Sequence, residues 1–196
     1  MNGRAPAPSV VAVVLAAGRG RRFGSDKRRA RLADGQTLLQ RACAPALAAG
    51  LPLYLALRPE DPPELLPAGG SVQRVDVARA DQGMGVSLAT AVAALPAAVQ
   101  GCLVLLGDMP GLQAETLCRL RQALAAGGDK ALVAPVWQGR RGHPVGLGRH
   151  WFAELQELAG DSGARHLLQR EGHRLQRLVV ADPGVIRDVD RRSDLD

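Results

Sequence analysis

The sequence predicts an α/β fold, a three-layer α/β/α sandwich around a mostly parallel sheet. Two observations lead there. Short apolar runs of strand length alternate with longer helix-like stretches, and the polar, glycine-bearing segments follow the ends of the apolar runs.

Residues 10–15 (VVAVVL) form an unbroken apolar run, the pattern of a parallel strand buried on both faces. Residues 37–49 read as a helix that Pro45 should kink or split. Strands follow at 51–57 and, more weakly, at 72–77. A small-residue helix covers 87–95 (SLATAVAAL), with Ser87 near its cap. Next come a strand at 102–106, an amphipathic helix at 113–125 and a strand at 131–136. Residues 151–158 and 164–170 look helical, and 176–180 and 185–189 close the chain as strand-like segments. The stretch 59–70 reads as a Pro/Gly-rich surface loop without obvious chemistry. No repeat and no long linker interrupts this pattern, so residues 1–196 are expected to form a single domain.

Composition narrows the function classes. With 46% hydrophobic but only 3% aromatic residues, the core must be aliphatic. No apolar run is long enough to span a bilayer, and the run before the first glycines is too short for a signal peptide. No membrane partner is therefore expected, and the expected compartment is cytoplasmic. Cys43, Cys102 and Cys118 match neither a disulfide framework nor a zinc site and are expected to be free thiols. The net charge of +6 invites a nucleic-acid reading, but the arginines are scattered and aromatics for base stacking are scarce. No nucleic-acid partner is expected. A small, highly charged phosphorylated ligand fits the same excess. His150, His166 and His173 lack metal spacing and read as surface or structural.

After the first strand comes Leu15-Ala16-Ala17-Gly18-Arg19-Gly20-Arg21-Arg22-Phe23-Gly24-Ser25-Asp26-Lys27. Glycines let backbone N–H groups approach anionic oxygens, and Arg22 and Lys27 add cations to a solvent-facing loop already suited to phosphate. Lys27 is one of two lysines in the chain, the other being Lys130. A Walker A loop is excluded, because no Gly-Lys-Ser/Thr occurs. A dinucleotide site is closer, but the glycine spacing is G-x-G-x-x-x-G, and Arg58 stands where a ribose-binding acid belongs.

Three further segments carry chemistry. Gln82-Gly83-Met84-Gly85-Val86-Ser87 is a flexible turn feeding a helix N-terminus, a place that can hold a base or phosphate. Asp108, in Gly107-Asp108-Met109-Pro110, follows a buried strand and is well placed for a metal. Alternation puts Asp188 and Asp190 on one side of the chain, an arrangement costly without a cation.

L-A-A-G-x-G-x-R-F-G-x-x-K resembles the signature loop of nucleotide-sugar-type and molybdenum cofactor nucleotidyltransferases. Q-G-M-G-x-S-L is similar to a motif of the molybdenum cofactor cytidylyltransferases (MobA/MocA-like NTP transferases). G-D-M-P, G-x-x-G-H-P-V around His143 and G-D-x-G-A-R at 160–165 match in order. Two departures stand out: Arg191 replaces the threonine of D-x-D-T-x-x-D-L, and Arg28-Arg29 replaces the usual Leu-Leu.

The resemblance implies a Rossmann-like nucleotidyltransferase fold and transfer of CMP from CTP to molybdopterin with release of pyrophosphate. Leu15, Ala16, Ala17, Gly18, Gly20, Lys27, Gln82, Gly83, Met84, Ser87 and Asp108 would bind the nucleotide. Arg22, Lys27 and Asp108 would be catalytic, and Asp108 and Asp190, with Asp188, would hold Mg²⁺. His143 and Asp161 would face the acceptor, although Asp161 would equally cap the helix that follows. Residues 15–27 would form the phosphate loop and 137–165 the acceptor-side loops. A molybdoenzyme or its maturation factor is implied as a further partner. Guanylyl relatives read L-A-G-G, so the methyl of Ala17 is expected to narrow the base pocket against purines. A guanylyltransferase, a sugar- or polyol-phosphate enzyme of the same fold, and a non-catalytic cofactor carrier are the alternative readings.

Overall fold

β1 (Val10–Leu15) lies inside the sheet, with every residue but Leu15 buried, in the computed structural model, which describes residues 10–20, 23–69 and 71–195. It pairs in parallel with β2 (Leu53–Leu57) on one side and β4 (Gly101–Leu106) on the other. β3 (Val72–Asp76) continues the parallel half beyond β2. On the other flank β7 (Val145–Gly148) runs antiparallel between β4 and β5 (Leu132–Trp137). β8 (Leu175–Val179) pairs in parallel with β5, and the two-residue β6 (Arg140–Arg141) pairs antiparallel with it. The chain moves outward from β1 to β2 and β3, then returns to the opposite side of β1 as β4. That reversal makes the β1–β4 junction a topological switch point, where open α/β sheets bind ligands beyond their strand ends.

Alternation along the strands splits the core into two apolar clusters. Ala12, Val14, Leu53, Leu55, Leu103 and Leu105 face α1 (Leu38–Ala48) and α3 (Ala114–Ala126). Val11, Val13, Tyr54, Ala56, Cys102 and Val104 face α2 (Met84–Ala93), α4 (Phe152–Gln156) and α5 (Arg165–Arg170). Three layers result, as the sequence predicts. All three cysteines are free, and burial pushes the Cys43 and Cys102 thiols up to about 12.

Four local expectations are corrected. α1 runs unbroken through Pro45, whose ring is buried in the sheet-facing side of a helix secured at its start by a Thr37–Gln40 capping box. α2 begins at Met84, so Ser87 lies inside the first turn, and Gly83 is the N-cap. β7 was not anticipated: it is four residues long with two glycines, too short to register as an apolar run. Residues 185–189 form no strand; a 3-10 turn, Pro183–Ile186, leads into an extended strap. Among the described residues no helix is long and apolar enough to cross a membrane.

Candidate active site

The ends of β1 and β4 are held together by a bond from Gly107 N to Leu15 O of 3.0 Å. Ala16 and Asp108 are thereby brought onto the rim of one cavity of about 470 Å³. Leu15, Ala16, Ala17, Gly18, Gly20 and Lys27 line it from the loop side, and Gly83, Met84 and Ser87 from α2. Gln82 is exposed and does not reach the wall; Ala80 and Asp81 line it instead. Arg22 lies outside the described residues. Ala17 is 1% exposed and joins the α2-side core while also lining the cavity.

Lys27 begins a 3-10 turn, Lys27–Arg29, in which the Asp26 side chain accepts from the Arg28 N–H. Contrary to the sequence expectation, its side chain is turned inward, with 16% exposure. Its Nζ donates to Asp108 Oδ2 at 2.7 Å and to Val189 O at 3.1 Å, and lies 3.6 Å from Asp190 Oδ1. Oxygens of Asp108, Asp188 and Asp190 all lie within 4.8 Å of one another. Val189 between them is buried against Phe23 and Leu38, which turns both flanking aspartates to the same side without a sheet strand. A main-chain bond from Val189 N to Asp108 O of 2.9 Å fixes the strap to the β4 turn. Asp108 Oδ1 is buried and has no hydrogen-bond partner among the described residues. A clustered carboxylate set with an orphaned buried oxygen suits a hard divalent cation.

Behind the loop lies a polar scaffold that the sequence reading missed. Arg28 is buried; its Nη1 donates to Ala16 O at 2.9 Å and its Nη2 to Asp61 Oδ1 at 2.6 Å. Asp26 accepts from Arg28 Nε and Nη2 at 2.8 and 2.9 Å. Burial disfavours the Arg28 cation, but the hydrogen bonds it donates to Asp26 and Asp61 outweigh that and raise its pKa. Asp61 also accepts from Arg58 N at 2.8 Å, and Arg58 Nε donates to Ala17 O at 2.6 Å. Residues 59–70 thus carry a buried anchor, not a featureless loop. The signal was the departure from Leu-Leu: a buried arginine at 28 requires an acid, and Asp61 supplies it.

A second cavity of about 290 Å³ adjoins the first and shares Leu15, Met84, Leu106 and Asp161 with it. Its floor is apolar, from Leu88, Val104, Val145 and Leu168, with Arg141, His143 and Arg165 around it. His143 N donates to Val185 O at 2.7 Å, which ties this loop to the strap. Burial pulls the His143 imidazole below its ordinary value, partly offset by a hydrogen bond with the Val104 backbone, and its buried Nδ1 has no partner. Asp161 caps no helix: α5 starts from Ala164 without a side-chain cap, and Asp161 faces both cavities. Gly83 and Gly142 allow the close approaches that shape this half. A Cβ on Gly83 (φ 112°) would strike the Gly160 backbone, and one on Gly142 would strike the Val185 carbonyl.

The strap is anchored once more upstream. Asp182, buried, accepts from Gln113 N at 3.0 Å, Thr116 Oγ1 at 2.8 Å and Gly184 N at 2.9 Å. One segment therefore binds α3, the His143 loop and the β4 turn.

Comparison with solved structures finds the same architecture. Rv0371c from Mycobacterium tuberculosis H37Rv is 29% identical, with a TM-score of 0.79 over 95% of this chain and 96% of that one. Its homolog from Mycobacterium sp. strain JC1 is 31% identical, with a TM-score of 0.78 over 95% and 92%. A nucleotidyl transferase from Methanothermobacter thermautotrophicus, 22% identical over 95% and 94%, shares the fold with a TM-score of 0.78. No curated protein sequence matches the chain. The family model described as the MobA-like NTP transferase domain matches residues 12–176, from the third residue of β1 into β8. With the switch-point cavity, the inward lysine and the strand-end aspartate all within that span, the chain belongs to the MobA-like NTP transferase family.

Proposed function

We propose that the protein transfers CMP from CTP to a molybdopterin-type phosphorylated acceptor, releasing pyrophosphate. The observation that carries this reading is the convergence of Lys27, Asp108, Asp188 and Asp190 beside the cavity that the glycine-rich loop lines, with a second cavity adjoining it. One cavity is lined by the glycine-rich loop and is open to a nucleotide. The other has an apolar floor with Arg141, His143 and Arg165 around it, a combination suited to a flat heterocycle with a polar edge such as a pterin.

The reaction is an in-line displacement. An acceptor phosphate oxygen forms a bond to the α-phosphorus as the bond to the bridging oxygen breaks, and pyrophosphate leaves with the electron pair. A phosphate monoester has its second pKa at about 6, so the nucleophile is already ionised and no general base is needed. The chain's task is then orientation and charge neutralisation. Backbone N–H groups at Gly18 and Gly20 would lie against the phosphates. Lys27 would meet the pyrophosphate charge, a role the resemblance also gives Arg22. Asp108 and Asp190, with Asp188 beside them, would hold Mg²⁺, which when bound neutralises phosphate oxygens at the reacting end. That Rv0371c has been solved in complex with manganese supports the use of a divalent cation. His143 and Asp161 would orient the acceptor.

The test is pyrophosphate release with molybdopterin and Mg²⁺, offering CTP, GTP, ATP and UTP in turn. CTP is expected to be used best. Preference for GTP would instead make the protein a guanylyltransferase, and release only with a sugar or polyol phosphate would change the acceptor class. Tight binding of an NTP with no turnover would make it a carrier.

A further inference from the structure

The larger cavity runs across strand ends in the spatial order β4, β1, β2, with Asp108 at one end and Arg58 at the other. A nucleoside triphosphate whose phosphates lie by Asp108 and Lys27 therefore extends its base past Ala16 and Ala17 toward Arg58.

Two buried arginines line that far end, and they differ in what they have left to give. Arg28 is committed: its Nε, Nη1 and Nη2 all donate to Asp26, Asp61 or Ala16 O. Arg58 is held by a single hydrogen bond from its side chain, Nε to Ala17 O. Its Nη1 lies 3.9 Å from Glu60 Oε1, beyond hydrogen-bond reach, and Glu60 is 66% exposed. The Arg58 side chain is only 10% exposed, yet neither Nη is among the sealed atoms that lack a partner. The Nη groups are thus not sealed off, and the residue they belong to lines the cavity. A guanidinium fixed at Nε, with its two Nη groups presented side by side, is a fork for paired acceptors.

Resting on the CTP reading above, we propose that Arg58 selects the nucleobase by donating from its Nη groups to O2 and N3 of cytosine. Asp81, on the wall of the same cavity, then accepts from the exocyclic amine. Uracil fails this test because its N3 carries a hydrogen that faces the arginine donors. Adenine fails because its amino group interrupts the acceptor pair. Guanine offers a comparable pair in O6 and N7, and is the competitor the experiment has to separate.

Dissociation constants of CTP and 3-deaza-CTP, in which N3 is replaced by C–H, are measured with Mg²⁺ and no acceptor. The proteins compared are wild type and Arg58→Lys, which keeps the charge and can reach Ala17 O. Wild type is expected to bind CTP tighter than the deaza analogue or UTP by on the order of 10- to 100-fold, the discrimination a bidentate pair confers. In R58K the three ligands should bind within about threefold of one another, since a single ammonium cannot hold both acceptors. If Arg58 served only to tether Ala17, R58K would weaken all NTPs equally and leave the ratios intact, which overturns the proposal. Equal binding of CTP and 3-deaza-CTP by wild type overturns it even if R58K does not fold. GTP bound tighter than CTP, with sensitivity to 7-deaza substitution, overturns the cytosine assignment. Failure of the wider reading looks different: no pyrophosphate is then released from CTP, whereas turnover of CTP with flat Arg58 dependence sinks the base-reading role alone.

Discussion

The two cavities differ in how far apart in sequence their walls were made. The larger one is built mainly from short segments following parallel strands, and its loop lies within one stretch after β1. The smaller one is assembled from β4, β7, α2, α5 and the 161–165 turn, and its histidine loop is fastened to a strap some forty residues downstream. A local motif can position a phosphate because glycines and a lysine need only a strand end beneath them. An acceptor surface with an apolar floor needs several elements to agree, and here main-chain hydrogen bonds and glycine contacts make them agree.

The contrast can be broken at the larger cavity first. Asp108→Asn removes a carboxylate from its rim and Asp190→Asn one from the cluster beside it. Each is expected to lower kcat by on the order of 10²- to 10³-fold, the usual loss for a preorganised electrostatic group. Pyrophosphate release across a Mg²⁺ titration reads this, and full activity in excess chelator would remove the metal from the account.

Asp61→Ala attacks the nucleotide half from behind. It leaves Arg28 buried with one acid fewer, and breaking a buried pair costs about 3 kcal/mol when the other charge stays in place. Urea unfolding should show that loss; a midpoint shift equal to that of an exposed pair such as Arg41–Asp34 would mean the scaffold is dispensable.

Gly142→Ala targets the stitched half. Its methyl would push the Val185 carbonyl away and loosen the bond that Val185 O accepts from His143 N. A stability loss of about 1–3 kcal/mol is expected from such overpacking, with Mg²⁺ affinity falling too because the strap carries Asp188 and Asp190. Unchanged metal binding in a folded, destabilised variant would uncouple strap from site.

The smallest effect sharpens the comparison at Ala17. Because its methyl packs in the core, Ala17→Gly should cost about 1–2 kcal/mol in burial and backbone entropy. The CTP-to-GTP ratio should not move. A gain in GTP use would restore the methyl as a purine gate.

Much of this architecture was legible in the residues. VVAVVL, the small-residue helix and GCLVLL announce buried elements by apolarity alone, and Asp188-Val189-Asp190 announces two carboxylates on one side. That last inference held although the segment is no strand, since a buried Val189 enforces alternation in any extended chain. What was hidden depends on distant partners. Val145-Gly146-Leu147-Gly148 carries too few large side chains to read as a strand until β4 and β5 flank it. Asp61 looks like a turn residue until Arg28 arrives from the loop. Gln82 matched a motif but points away from the cavity wall, whereas Arg58 matched nothing and lines it.

The bond from Val189 N to Asp108 O has a consequence for the order of events during synthesis. A ribosome delivers β1 through β8 before residues 182–190, so most of the sheet precedes the strap. At that moment Asp108 stands alone, without Asp188 or Asp190 within reach and without the carbonyl of Val189 to help hold Lys27. The nascent protein would possess the crevice but only one of the three clustered carboxylates. The cluster is completed with the last stitch.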